Sequence, residues 1–89
     1  MAVKTASKSI LMVLQRDRRL TAARVQEIFT EFGCVIRTRL GLHDGTGEQC
    51  SNAGLIILEL AGDPRQHRKL AAALGRIRGV KTKLASIGF

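Results

Sequence analysis

Eighty-nine residues, 45% of them hydrophobic, suffice for one small core and leave no room for a second. Aromatics are nearly absent, with three Phe and no Tyr or Trp, while 15 Lys plus Arg against 7 Asp plus Glu give a formal charge of +8. This balance argues against wholesale disorder and suits an anionic partner, whether nucleic acid, a small anion or an acidic protein.

Residues 1–8 read as a flexible basic tail, and residues 9–89 as a single domain. The start of the chain is short and polar, so neither a secretory signal nor a membrane anchor fits, and a cytoplasmic protein is expected. Ser9 to Leu14 is a continuous apolar run that predicts a strand covered on both sides. Gln15, Arg16, Asp17, Arg18 and Arg19 then interrupt it with five polar residues. A helix is expected to follow, with Thr21 as its cap and Leu20 stapled onto Val25. Val25, Ile28, Phe29 and Phe32 share one face of that helix, and Gly33 is expected to close it.

Val35 to Leu42 alternates as a strand, predicting Ile36, Thr38, Leu40 and Leu42 on one side and Arg37 and Arg39 on the other. Residues 43–52 are polar and carry glycines, as in a long hairpin loop. Leu55 to Leu60 is the second continuous apolar run and predicts another doubly buried strand. Ala61 to Pro64 then stops the strand and starts a helix: Asp63 caps, Pro64 suits the first turn, and Gln66 has capping-box spacing. Leu70, Leu74 and Ile77 form the buried face, Gly79 is expected to end the helix, and Val80 to Leu84 alternates as a last strand.

The order strand–helix–strand–strand–helix–strand predicts an α+β, ferredoxin-like βαββαβ fold, with a four-stranded antiparallel sheet and both helices on one face. Ile36 to Leu40 and Val80 to Leu84 share a branched–basic–Thr–basic–Leu pattern and should occupy opposite edges, where basic residues discourage stray pairing. Two helices cover only one sheet face, yet both central strands are apolar at consecutive positions. Self-association as a homo-oligomer, dimer or tetramer, is therefore expected.

Several chemical readings weaken on inspection. His43, Asp44, Glu48 and Cys50 share one loop but match no closed metal site, so a solvated loop is favoured and no cofactor is expected. Gly45-Thr46-Gly47 lacks the ending of a phosphate loop. Cys34 and Cys50 suit free thiols better than a disulfide, and His67 suits a buried structural role. No nucleophile–base pair or carboxylate pair can be nominated, so an enzyme is not expected. Ligand binding is best placed at Gln15, Arg16, Asp17, Arg18 and Arg19. There Asp17 can hold an amine and Arg18 or Arg19 a carboxylate or phosphate, beside unpaired helix N–H groups. The alternative is a nucleic-acid-binding module using basic edge strands and helix faces, although the strands lack the aromatics on which RNA-recognition domains stack bases.

Arg39-Leu40-Gly41, Gly54 to Leu60, Gly62-Asp63, Leu70, Leu74 and Arg78-Gly79-Val80-Lys81 resemble small ACT-like domains, nearest to the iron-only hydrogenase system regulator family. A second likeness is to the C-terminal regulatory domain of the nickel-responsive repressor. The resemblance covers residues 9 to about 86 and implies a standalone regulatory domain. Its nickel site requires a His-x-His strand motif and a cysteine, where this chain has Arg37-Thr38-Arg39 and Gly54, so no metal is expected.

Overall fold

A computed structural model describes residues 7–43 and 52–88. The elements are β1 (Ser7–Gln15), α1 (Arg18–Glu31), a 3-10 turn (Gly33–Val35), β2 (Ile36–His43), β3 (Gly54–Leu60), α2 (Pro64–Gly75) and β4 (Val80–Gly88). The strands form one antiparallel sheet in the order β2-β3-β1-β4, so the two apolar runs lie at its centre and the basic strands at its edges. This is the ferredoxin-like arrangement expected from the order of elements. The tail expected over residues 1–8 falls largely outside the described residues, but Ser7 and Lys8 already belong to β1, paired with Gly88 and Ile87. Residues 44–51, including Asp44, Glu48 and Cys50, lie outside the described residues as well.

The core fills the space between the sheet and the helices. Leu11 and Val13 of β1, Leu58 of β3, Val25 of α1, and Leu70 and Leu74 of α2 are fully buried, with Ile28 and Phe29 close behind. Each such side chain contributes roughly 1.5–3 kcal/mol of hydrophobic stabilisation relative to exposure. Partly buried Phe32, Ile36, Ile56, Ile77 and Leu84 pack around them. The apolar periodicity of both helices thus points where the sequence places it.

The caps differ from expectation at both helices, more so at α1. Asp17, not Thr21, caps α1: its Oδ1 accepts the Arg19 N–H at 3.0 Å. Thr21 sits one turn inside, donating its hydroxyl back to the Asp17 carbonyl at 2.9 Å. Leu20 makes no staple and is 83% exposed. In α2 Asp63 caps as expected, accepting from the Arg65 N–H at 2.9 Å, with Pro64 in the first turn. Gln66 gives its backbone N–H to the Asp63 carbonyl and leaves the capping box unclosed. Gly33 begins the 3-10 turn after α1, and Gly79 lies past the end of α2. There its φ of +85° makes the left-handed turn into β4.

β2 departs from simple alternation. Its register against β3 slips between Ile36 and Thr38, leaving Arg37 as an extra residue. Ile36 pairs with Leu60 and packs on the core, whereas Leu40 and Leu42 pair with Ile57 and Leu55 on the sheet's other face. Arg39 is carried to the helical side, where its guanidinium lies 5.0 Å from the Phe29 ring centroid and donates to Gln26 Oε1 at 2.9 Å. The two look-alike edge strands therefore present opposite sides: in β4 it is Thr82 that lies beside Val13, with Lys81 and Lys83 on the open face.

That open face carries cross-strand rows of apolar side chains. Leu42, Leu55 and Leu14 form one, and Leu40, Ile57 and Met12 the next. Lys81 and Lys83 extend these rows on β4. Leu14, Leu40 and Leu42 are about half exposed, at 51%, 52% and 45%.

Candidate functional site

The polar stretch Gln15–Arg19 closes one end of the sheet, where β1 finishes and α1 begins. Backbone bonds fix it to two other segments. The Arg16 N–H donates to the Gly79 carbonyl at 2.8 Å, and the Arg18 N–H donates to the Asn52 carbonyl at 2.8 Å. Gly79 is presented by a tight turn closed by Val80 N–H to Ile77 carbonyl at 3.0 Å. The turn predicted from its composition thus has two tertiary partners, Ile77–Lys81 and Asn52–Gly54.

The five residues separate into two roles. Gln15 is buried and donates its amide to Thr21 Oγ1 at 2.9 Å. Asp17 is occupied in capping α1, with Arg19 Nε 3.6 Å from its Oδ1. These residues hold the turn. Arg18 reaches across β3, where its Nε donates to the Asn52 carbonyl at 3.3 Å. Its chain passes so near Gly54 that a Cβ there would lie 2.5 Å from Arg18 Cδ. Gly54 is thereby explained: the position where the nickel-repressor likeness would want a cysteine is the crossing point of Arg18.

Arg16 is exposed and makes no salt bridge with a described residue. It stands at the junction of two clefts. One, of about 360 Å³, is lined by Arg16, Asp17, Leu20, Ile77 and Arg78 among others; the other, of about 330 Å³, by residues that include Leu14, Arg16, Val80 and Lys81. Such volumes are in the range of small-ligand sites. Arg78 and Lys81 likewise make no salt bridge with a described residue, so three cations from two segments converge on clefts whose one lining acid, Asp17, already caps α1 and lies beside Arg19. Arg18 and Arg19 add positive charge in the first turn of α1, which contains no acid. Cations there oppose the helix dipole, a cost that an anion in the adjoining clefts would relieve. Sequence reasoning missed Arg78 and Lys81 as site residues because only tertiary structure brings them to Arg16.

A wider cleft of about 760 Å³ opens at the other end of the sheet, beside Lys8, Arg37, Asp63, Arg65 and His67. Two of its cations are already matched. Lys8 Nζ lies 3.2 Å from Glu59 Oε2, and Arg65 Nη2 lies 3.0 Å from Asp63 Oδ2. Hydrogen bonds from Lys8 and then Thr38 hold the Glu59 carboxyl below its ordinary range, and those from Arg65 do the same for Asp63. His67 is 4% exposed, with Nε2 donating to the Ala61 carbonyl at 2.7 Å, so it serves α2 packing as expected. Size alone therefore does not make this cleft the better candidate.

Among the described residues no group of three His, Cys, Asp or Glu is placed to hold a metal, and no helix is long and apolar enough to cross a membrane. Cys34 is exposed in the 3-10 turn.

No protein-family model and no curated protein matches the chain. Solved structures do. The uncharacterized protein TM1266 from Thermotoga maritima is similar with a TM-score of 0.76 and 26% identity, over 92% of this chain and 99% of that one. CPII from Thiomonas intermedia K12, bound to ADP, AMP and acetate, aligns with a TM-score of 0.60 over 98% of this chain and 92% of its own, at 10% identity. A formyltetrahydrofolate deformylase from Pseudomonas putida KT2440 aligns over 88% of this chain but 28% of its own length, with a TM-score of 0.56 and 18% identity. These likenesses establish the ACT-like form of the ferredoxin-like fold.

Proposed function

We propose that the chain is a non-enzymatic regulatory domain that works as a cytoplasmic homo-oligomer and senses a small anionic effector. It would act on metabolism or transcription in the manner implied by its resemblance to iron-only hydrogenase system regulators. The observation that carries the sensing role is the convergence of Arg16, Arg78 and Lys81 on the paired clefts beside the Gln15–Arg19 turn. CPII, which shares the fold, is bound to ADP and AMP, and this makes adenine nucleotides the first effectors to test. The oligomer rests on the apolar rows of the open sheet face, which a monomer would leave in water.

A thermal-shift screen against AMP, ADP, amino acids and bicarbonate tests the reading. A ligand that binds only the folded chain stabilises it by about 2.7 kcal/mol at a hundred times its Kd. Amide shifts on titration should then centre on residues 15–19 and 77–81, and Arg16→Ala with Arg78→Ala should abolish them. Shifts confined to the cleft at Lys8, Arg37 and Arg65 would place the effector at the wrong end of the sheet.

A further inference from the structure

Charge is divided very unevenly along this chain. Each of the seven acids lies at or before Asp63, whereas seven of the fifteen Lys and Arg residues follow it. Nearly all of the +8 charge therefore belongs to α2, the turn after it and β4.

The two helices handle their exposed arginines differently. On α1, Arg24 Nη1 lies 3.8 Å from Glu27 and 3.7 Å from Glu31, so that surface is neutralised from within. α2 contains no acid at all. Arg65, Lys69, Ala72 and Arg76 recur at helical spacing along one stripe, with Arg68 beside it, and all five are exposed. Asp63 pairs with Arg65 alone, while Arg68, Lys69 and Arg76 make no salt bridge with a described residue. From Arg65 to Arg76 the stripe is about 16 Å long at helical rise.

The face also lacks what a protein partner would use. Among the described residues every exposed large hydrophobic lies elsewhere, at Ile10, Leu14, Leu20, Leu40, Leu42 and Ile87. Protein interfaces are generally anchored by buried apolar or aromatic side chains, and a purely cationic surface supplies none. A phosphate backbone needs no such anchor. Over about 16 Å of axis a duplex presents roughly nine negative charges, ample for three or four cations.

We propose that the outer face of α2, through Arg68, Lys69 and Arg76, binds the phosphate backbone of nucleic acid without reading its sequence. The surface is separate from the clefts at Arg16 and needs no effector. It suits a regulator that must stay near nucleic acid while another element, or another protein, supplies sequence choice.

The test is fluorescence anisotropy of a labelled random-sequence DNA duplex with the full chain, from 50 to 300 mM KCl. Expected is a dissociation constant of about 1–100 µM near physiological salt, tighter at 50 mM KCl, with a log–log salt slope near 0.9 per phosphate neutralised. Replacing Arg68, Lys69 and Arg76 together by Ala should reduce that slope by about 2–3. Alanine is the best helix former, so α2 should persist, as a circular-dichroism melt can verify. Arg68→Lys with Arg76→Lys should keep the slope. A charge-matched variant at Arg24, Arg37 and Lys83 should leave the slope as it is in the unmodified chain. In that unmodified chain, duplex should also shield Lys69 from acetylation and leave Lys8 reactive. The proposal is overturned by any of four results: no binding at 50 mM KCl, equal slope losses in both triple variants, no protection of Lys69, or preference for poly-glutamate over a duplex of equal charge. The last would mark an acidic protein as the partner.

Discussion

Replacing Gly54 by Ala isolates one contact that the fold makes obligatory. Gly54 sits in extended strand without a positive φ, so alanine brings no backbone strain. What it brings is a Cβ 2.5 Å from Arg18 Cδ and 2.9 Å from Arg18 Cγ. Carbon atoms prefer about 3.5–4.0 Å, so the arginine chain must move by about 1 Å. That displacement takes with it the 3.3 Å bond from Arg18 Nε to the Asn52 carbonyl. Because the clashing atoms belong to a flexible, half-buried side chain, Gly54→Ala should cost about 0.5–1.5 kcal/mol, the range for forcing a side chain off its rotamer. With Arg18→Ala already in place the obstruction is gone, and the same change should become neutral or favourable by about 0.5–1 kcal/mol through the lost freedom of glycine. Urea unfolding of the four proteins at one fixed concentration gives the coupling directly, expected between about 0.5 and 3 kcal/mol. Additivity of the two changes within about 0.3 kcal/mol would refute the argument that Arg18 is why this position is glycine.

Met12→Lys, on the open face, should shift the chain towards a 9.7 kDa species by light scattering while it remains folded. Ile56→Lys points at the core and should unfold it instead, and the same outcome from both would contradict the assignment of faces. Thr21→Val removes the acceptor of the buried Gln15 amide and should cost about 1–3 kcal/mol in urea midpoint measurements, with unchanged stability counting against the bond. Glu59 and Asp63 have depressed folded pKa values, so their contribution is present above the ordinary values of 4.5 and 3.8 and is lost as pH falls through the lower folded values. Glu59→Gln should flatten the acid limb of the stability–pH curve, and a limb of unchanged steepness would show that the carboxylate does not supply it.

How far the fold was legible depended on local pattern. The central strands, the buried faces of the helices and the Asp63–Pro64 start of α2 follow from runs and spacings that nothing distant disturbs. Local pattern puts the start of α1 at Thr21, because apolar periodicity begins only at Val25, whereas the helix in fact starts at Arg18 with Asp17 as its cap. β2 misled because a bulge adds a residue without changing composition. Alternation read straight through Arg37 assigns Leu40 and Leu42 the same side as Ile36, and the pairing with β3 shows otherwise. At the candidate site the turn itself was legible. The burial of Gln15 and the arrival of Arg78 and Lys81 were not, because both depend on contacts some sixty positions apart in the chain.

The position of β1 has a consequence for how the protein is made. β1 pairs with β3 and β4, and its contact with β4 joins distant positions, as in the 2.9 Å bond between the Ser9 and Ser86 hydroxyls, 77 positions apart. Until β4 leaves the ribosome, β1 has one side unpaired and the sheet is a three-stranded fragment with an apolar central strand at its edge. Folding therefore cannot finish before β4 has been made, and a product truncated ahead of it would leave Ile10, Met12 and Leu14 beside a free strand edge. Such a fragment is a substrate for chaperones or for aggregation, so for this sequence the nine residues of β4 separate a folded domain from a hazard.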